Sequence, residues 1–419
     1  MTNSTLIRVC YVVHYTGGGS MESLERMVAG LDRNIFDPWV VFHRVKDQSV
    51  VDRLEAMQVP VTSLSKPQPR SSNAASMNVS GWLAESDRRQ KLLGVYKLAK
   101  STREFVSRDT KWLNPLYQFF RRQPFDLVHF NNGLRHHRAD LFVTQLLKIP
   151  ALCHVRNFQT LSPLERAAGK SVNKFLYMSR ALAESYEVQQ ISPDRGIVVH
   201  DQVTLPPPMS QADKDAKRME FGIDKNHFML VNVGRLVSWK GQDVFIKALH
   251  RLRKAIPTLR ALIVGKPDDN PISHAYAEGL RQLVEQYGLT ENVIFTGFRT
   301  DIFELMAASN VVIHSATTPE PFGLVIIEAL ASGTPLIATK AGGIIDILTP
   351  ETGLMVTPGH DIELADALKQ LYDAPHLRAK LAKAGRTHVQ KEFGKDVFMR
   401  RIYDVYNRAL NIKTLTAVN

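Results

Sequence analysis

The chain has 419 residues, 44% of them apolar and 22% charged, which suits two or three packed domains and excludes a disordered or collagen-like chain. Its two cysteines, Cys10 and Cys153, each lie in an apolar run, which excludes a disulfide framework and reads as two core thiols in a reducing compartment. Lys and Arg total 53 against 41 Asp and Glu, and the net charge of +12 invites an anionic partner: nucleic acid, anionic lipid or a phosphorylated small molecule.

The chain opens on an apolar run at 6–14 that carries Arg8 and leads into glycines with no cleavage site. It reads as a first strand, not a signal peptide. No run reaches the ~20 apolar residues that cross a bilayer. The expected location is therefore the cytoplasm or the inner face of its membrane. Gly17-Gly18-Gly19 follow the strand and admit two readings, a phosphate cradle or a tight turn into a helix. The helix itself shows in the stripe of Met21, Leu24, Met27, Val28 and Leu31. Further strands read at 39–43, 126–130, 151–155 and 174–178.

The stretch 85–122 holds ten Lys/Arg and four Asp/Glu, a net of +6, interleaved with Leu, Phe, Trp and Tyr. One reading is a helical insertion packed on the first domain with a solvated basic face. The other is docking on anionic lipid. Nucleic acid is the least supported partner, since no nucleic-acid module is present. His136-His137 follow a glycine turn and read as a solvated loop.

Residues 201–218 contain three consecutive prolines and a charged run, and read as an interdomain linker. A second alternation follows. Strands read at 228–233, 259–264, 293–296, 310–314 and 335–339, and helices at 243–255, 275–287, 301–308, 323–331 and 362–372. A last amphipathic helix covers 393–410. Alternating strands and helices predict two α/β, doubly wound, Rossmann-like domains, with ligands at the carboxyl ends of their parallel strands. The expected division is 1–205, a linker at 206–218, a second domain at 219–390 and a terminal helical segment at 391–419.

Three motifs carry chemistry. In EPFGLVIIE, Glu320 follows a strand and Gly323 opens a helix. Free N–H groups at Gly323, Leu324 and Val325 form a site for phosphate or sugar oxygens. Glu328 can accept both hydroxyls of a ribose; the plainer reading is two glutamates on a helix surface. In VGRLVSWKG, Arg235 and Lys240 share one loop and can converge on a diphosphate. The third is the glycine run at 17–19. Asp213-Lys214-Asp215 spells a metal-binding triplet but lies in the linker, so no metal ligand is expected there.

Together GRLVSWKG, ALIVGKP, VIFTGFRTDIFELMAASNVVIHSA and EPFGLVIIEALASGTPLIATKAGGIIDIL, with GGGSMESL, DLVHFNN and KIPALCHVRN upstream, resemble the retaining glycosyltransferases of family 4. That family has the GT-B fold, two Rossmann-like domains facing across a cleft. The resemblance implies that Arg235 and Lys240 hold the donor diphosphate, and that Glu320 with the backbone of Phe322 and Gly323 holds the donor sugar. It implies Glu328 on the ribose, the backbone of Gly297, Phe298 and Arg299 at the base, and Gly265 beside the nucleotide. His154 would reach the donor sugar, and the final helix would cross back to the first domain. Arg156 stands where an acidic residue is common, and reads either as a contact to an anionic acceptor or as a strand cap.

The resulting expectation is a metal-independent retaining hexosyltransferase that needs no cofactor. The donor would be a nucleoside-diphosphate sugar, UDP-linked before GDP-linked, and the product an α-linkage to a lipid-linked or growing cell-surface glycan. Two other classes stay open: a sugar-nucleotide epimerase of the same fold, and a non-catalytic module that binds sugar nucleotide or membrane.

Overall fold

The computed structural model describes residues 6–16, 19–64 and 98–412. Gly17, Gly18 and the first part of the basic stretch, 85–97, lie outside the described residues. The chain divides into two units: the residues up to His200 together with those from Met399 on, and Asp201–Phe398.

The N-terminal unit is built on seven parallel strands: β1 (Ile7–Val13), β2 (Phe36–Phe42), β3 (Val61–Ser63), β4 (Leu127–Asn131), β5 (Ala151–Val155), β6 (Lys174–Tyr177) and β7 (Gly196–Val198). Their order is β3-β2-β1-β4-β5-β6-β7. The central strands β4 and β5 are buried along their whole length. That is why they read as unbroken apolar runs. Pro38 lies inside β2 and pairs with Val9 of β1, while β3 joins the other side of β2 only from Val40 onward. A proline is tolerated there because no ladder on that side needs its missing N–H.

The C-terminal unit holds six parallel strands: β8 (Phe228–Val233), β9 (Leu259–Val264), β10 (Val293–Gly297), β11 (Val311–His314), β12 (Leu336–Thr339) and β13 (Leu354–Val356). Their order is β10-β9-β8-β11-β12-β13. Helices Gln242–Leu252, Pro271–Gln286 and Asp361–Asp373 cover it with an apolar cluster that includes Phe245, Leu249, Leu280 and Leu368. Two parallel Rossmann-like sheets are thus present, as the alternation predicts.

The charged run expected to be a linker is partly helical. Ser210 caps helix Gln211–Met219 by accepting from the Asp213 amide at 3.1 Å. Arg218 in that helix is buried and donates to the carbonyl of Ala308 at 3.1 Å, so the helix packs on the C-terminal unit. Asp213-Lys214-Asp215 lies on this helix, not at a strand end. His137 was expected in a solvated loop but is fully buried, its Nε2 donating to the Asn131 carbonyl at 3.0 Å. The described part of the basic stretch is helical through Thr110–Arg122 and sinks Trp112, Leu116 and Phe120 into the N-terminal unit. The boundary between the two units falls within helix Lys395–Leu410, and in its N-terminal-unit part the Tyr406 hydroxyl lies 2.8 Å from that of Tyr11 in β1.

Candidate functional site

Strand β8 lies between β9 and β11, so successive crossovers leave the C-terminal sheet in opposite directions on its two sides. Such a switch point opens a crevice at the carboxyl ends of the strands. Asn232 of β8 ties those ends together, donating to the Ile313 carbonyl at 3.0 Å and the Ser315 hydroxyl at 3.1 Å.

Glycines allow the loops to close on one another here. Gly265, after β9, has φ +144°, and a Cβ on it would sit 2.0 Å from the Gly234 carbonyl oxygen. Gly241, with φ +66°, would place a Cβ 2.0 Å from the Ser315 carbonyl oxygen. The loop that carries Arg235 and Lys240 is therefore pressed against the end of β11. Within it the Trp239 ring has the Arg235 guanidinium 5.5 Å and the Lys240 ammonium 4.8 Å from its centroid, within the range of cation–π attraction.

Glu320 is the centre of the arrangement. Its Oε1 accepts from Lys240 Nζ at 2.6 Å and from His314 Nε2 at 2.8 Å. His314 Nδ1 in turn lies 3.3 Å from Thr339 Oγ1. The Glu320 backbone is held by a parallel bridge to Gly342 and by the Gly343 amide, which donates to its carbonyl at 2.8 Å. Burial pushes the Glu320 carboxyl pKa up, but His314 and Lys240 outweigh it and hold the group well below the usual carboxylate range. It is a permanent anion at neutral pH. The ammonium has three donors, so the bond to Glu320 leaves Lys240 able to meet an anion as well.

The expected residues fall as follows. Arg235 is paired with Asp268 at 2.7 Å, and its side chain is 56% exposed. An exposed pair of this kind is worth about 0–1 kcal/mol, so a diphosphate can displace it cheaply. Gly297 ends β10, Phe298 after it is exposed, and Arg299 is held by Asp301 at 2.6 Å. Phe322 is buried, and Gly323, at φ +110°, caps helix Leu324–Ala331, whose first turn holds Leu324 and Val325 half-buried. Glu328 is buried on the same helix. Arg235, Lys240, Gly265, Gly297–Arg299 and Glu320–Glu328 thus all follow the ends of β8, β9, β10 and β11. His314, Asp268 and Trp239 were not read as site residues. A histidine closing a buried strand six residues before Glu320 is the signal that could have flagged His314.

In the N-terminal unit Gly19 opens helix Gly19–Ala29 after β1, and His154 lies in β5. His154 is buried, its ring 5.5 Å from that of His129. Arg156 reads in the sequence as an acceptor contact or a strand cap, but is buried and bonded inward to Asn131 at 2.6 Å and Ser23 at 2.6 Å.

Among the described residues one group could hold a metal ion: His43, His137 and Asp140, whose ligand atoms lie within 4.8 Å of one another. His43 Nε2 and Asp140 Oδ1 are 2.8 Å apart, the length of a buried hydrogen bond. None of the residues expected at the donor belongs to this group.

Residues 213–388 match the family model described as glycosyl transferases group 1, and form a domain of that family. Over 207 residues the chain is 34% identical to a GDP-mannose-dependent monoacylated alpha-(1-6)-phosphatidylinositol monomannoside mannosyltransferase of Corynebacterium glutamicum, covering 47% of this chain and 52% of that protein. Over 205 residues it is 30% identical to the lipopolysaccharide core biosynthesis glycosyltransferase LpsD of Rhizobium meliloti, covering 49% and 54%. The chain thus spans about half the length of the curated relatives it matches. Anabaena HepE, solved in complex with UDP-glucose, superposes with a TM-score of 0.75 at 21% identity, covering 96% of this chain and 99% of that one. This likeness shows the fold, which is GT-B, and the family resemblance read from the motifs is borne out.

Proposed function

We propose that this chain is a retaining glycosyltransferase that moves a hexose from a nucleoside-diphosphate sugar to a lipid-linked or growing cell-surface glycan, forming an α-linkage without a metal ion. One observation carries the reading. Inside the segment matched to the family, a loop cation from the end of β8 and a buried carboxylate from the end of β11 meet at 2.6 Å across the switch point of the sheet.

In this reading Arg235 and Lys240 hold the diphosphate and stabilise its charge as the glycosidic bond breaks, an electrostatic contribution of about 10²–10³ in rate for one such donor. Glu320, kept anionic by His314 and Lys240, accepts from hydroxyls of the donor sugar, beside the backbone N–H groups of Phe322 and Gly323. Glu328 accepts from the ribose. The backbone at Gly297, Phe298 and Arg299 meets the base, and Gly265 lets the chain pass close to the nucleotide. His154 meets the sugar. Attack on the face the diphosphate leaves, with that phosphate taking the acceptor proton, accounts for retention without a carboxylate nucleophile. UDP bound to HepE and GDP-mannose used by the Corynebacterium relative support a UDP- or GDP-linked donor, and the relatives' lipid-linked and lipopolysaccharide acceptors support the acceptor class.

A peripheral place on the inner membrane face fits the exposed Leu98, Val106, Phe142 and Leu146 on and beside the basic helical stretch. The test is turnover: UDP- and GDP-sugars with lipid-linked glycan acceptors, in EDTA, followed by release of nucleoside diphosphate and by the anomeric configuration of the product. Acceptor-dependent release with an α-product supports the reading. A product that is an isomerised sugar nucleotide points to the epimerase, and binding without any turnover points to the non-catalytic module.

A further inference from the structure

The buried strand end that carries His154 also carries its partner two residues on. Arg156 is 4% exposed, and its guanidinium is used on several edges. Nε donates to Asn131 Oδ1 at 2.6 Å, Nη1 to Ser23 Oγ at 2.6 Å and to Met178 Sδ at 3.6 Å. Its Nη2 lies 3.2 Å from His154 Nδ1.

A guanidinium has only donors and does not lose its proton in proteins. The bond between Nη2 and Nδ1 therefore has one possible direction: Arg156 donates and the imidazole accepts. A neutral imidazole that accepts at Nδ1 carries its hydrogen at Nε2. His154 Nε2 is buried and has no hydrogen-bond partner among the described residues. A buried N–H without a partner is costly and rare, and each one calls for an explanation. Doubly protonated His154 is disfavoured, first by burial and then by the charges of Arg156.

We propose that Arg156 is a positioning residue that locks His154 as its Nε2–H tautomer, so that His154 meets a ligand oxygen as a neutral hydrogen-bond donor and not as a base. The ligand oxygen is a sugar hydroxyl or ring oxygen, and this part rests on the transferase reading above. The second imidazole supports the lock. The His129 ring, inclined by 30° to that of His154, is itself held at Nδ1 by the Tyr406 hydroxyl at 2.9 Å. His154 is thus held against a fixed ring while Arg156 fixes its hydrogen.

The tautomer is read on the full, ligand-free chain labelled with ¹⁵N-histidine, where imidazole nitrogen shifts separate protonated from bare nitrogens. The His154 signals are assigned by their loss in His154→Gln. In the wild type His154 shows a bare Nδ1 and a protonated Nε2 at pH 7. Arg156→Lys, which still donates, keeps that pattern. Arg156→Met, which cannot donate, lets the Nδ1–H form appear. A wild-type His154 protonated at Nδ1 or at both nitrogens overturns the proposal, and so does a tautomer unmoved by Arg156→Met in a folded protein.

The donor role is read in transfer. A glutamine at 154 supplies an N–H near the Nε2 position and cannot act as a base. His154→Gln is expected to keep kcat within about tenfold of wild type, while His154→Leu loses about 10²–10³-fold. Equal losses in both would mean that His154 works as a base and would overturn that role. If the tautomer is as stated but no sugar nucleotide turns over in the wild type, the lock stands and the transferase reading fails.

Discussion

Lys240, His314 and Glu320 form one electrostatic unit at the residue scale. Glu320 is a buried carboxylate paired with Lys240, 80 residues away in the chain, and hydrogen-bonded to His314 at the end of β11. Glu320→Gln keeps the size and removes the charge; kcat is expected to fall about 10²-fold or more, with a Tm within a few degrees of wild type. The same group links stability to pH. Its folded pKa lies below the unfolded value of 4.5, so its stabilisation is present above pH 4.5 and is lost as pH falls below it. Acid titration of wild type and Glu320→Gln by circular dichroism should show a shallower loss in the variant below pH 4.5. Arg235, Lys240 and Glu320 were legible in the sequence because their loops carry the glycines that such contacts need. His314 and Asp268 were not, since their bonds to Glu320, 6 residues on, and to Arg235, 33 residues back, are set only by how the loops after the strands fold. Arg156 read as an acceptor contact or a strand cap because its bonding, too, depends on distant segments. Its partner Ser23 lies 133 residues away in the chain.

At the scale of elements, the loops that carry the site depend on backbone that only glycine adopts. Gly241→Ala would force an L-residue into φ +66° and bring Cβ to 2.0 Å from the Ser315 carbonyl oxygen. Positive φ alone costs about 1–2 kcal/mol, and the clash must also move the loop that carries Lys240. Urea unfolding is expected to show a loss of at least about 2 kcal/mol together with weakened nucleotide binding. Gly359→Ala, at φ +80° with open space around its Cβ, is expected to lose stability without weakening that binding. Of the thirteen strands among the described residues, ten were read from apolar runs. The three missed, Val61–Ser63, Gly196–Val198 and Leu354–Val356, are three-residue strands at sheet edges, too short to display a period. Helix Pro375–Glu392 was missed because its polar surface leaves few buried positions, among them Leu381, Gly385 and Val389. If the apolar residues beside the basic helix seat on anionic lipid, Val106→Asp with Leu146→Asp should cut binding to phosphatidylglycerol vesicles by at least tenfold. Unchanged co-sedimentation would remove the membrane assignment and leave the packed-insertion reading.

The whole molecule is two parallel-sheet units that place charge differently. The N-terminal unit buries neutral imidazoles, and burial with the nearby Arg156 charge brings His129 down to about 3. A histidine that stays neutral when folded but titrates near 6.5 when unfolded stabilises the fold above pH 6.5. That stability is lost between about 6.5 and 3, at roughly 1.4 kcal/mol per pH unit for each such group. Amide protection factors in the N-terminal unit, corrected for the intrinsic pH dependence of exchange, should therefore fall on acidification before the carboxylates of the C-terminal unit titrate. The C-terminal unit carries the family match and concentrates paired cations and carboxylates at the carboxyl ends of its central strands. Binding of a sugar-nucleotide diphosphate at these strand ends is the proposal on which the assigned function rests. It is tested most directly by calorimetric titration of UDP and GDP into wild type, Lys240→Ala and Arg235→Ala in EDTA. Saturable one-site binding of at least one nucleotide by the wild type is expected, weakened at least tenfold in each variant. Equal affinity in all three proteins would contradict it, because the nucleotide would then be held somewhere other than between these two loop cations.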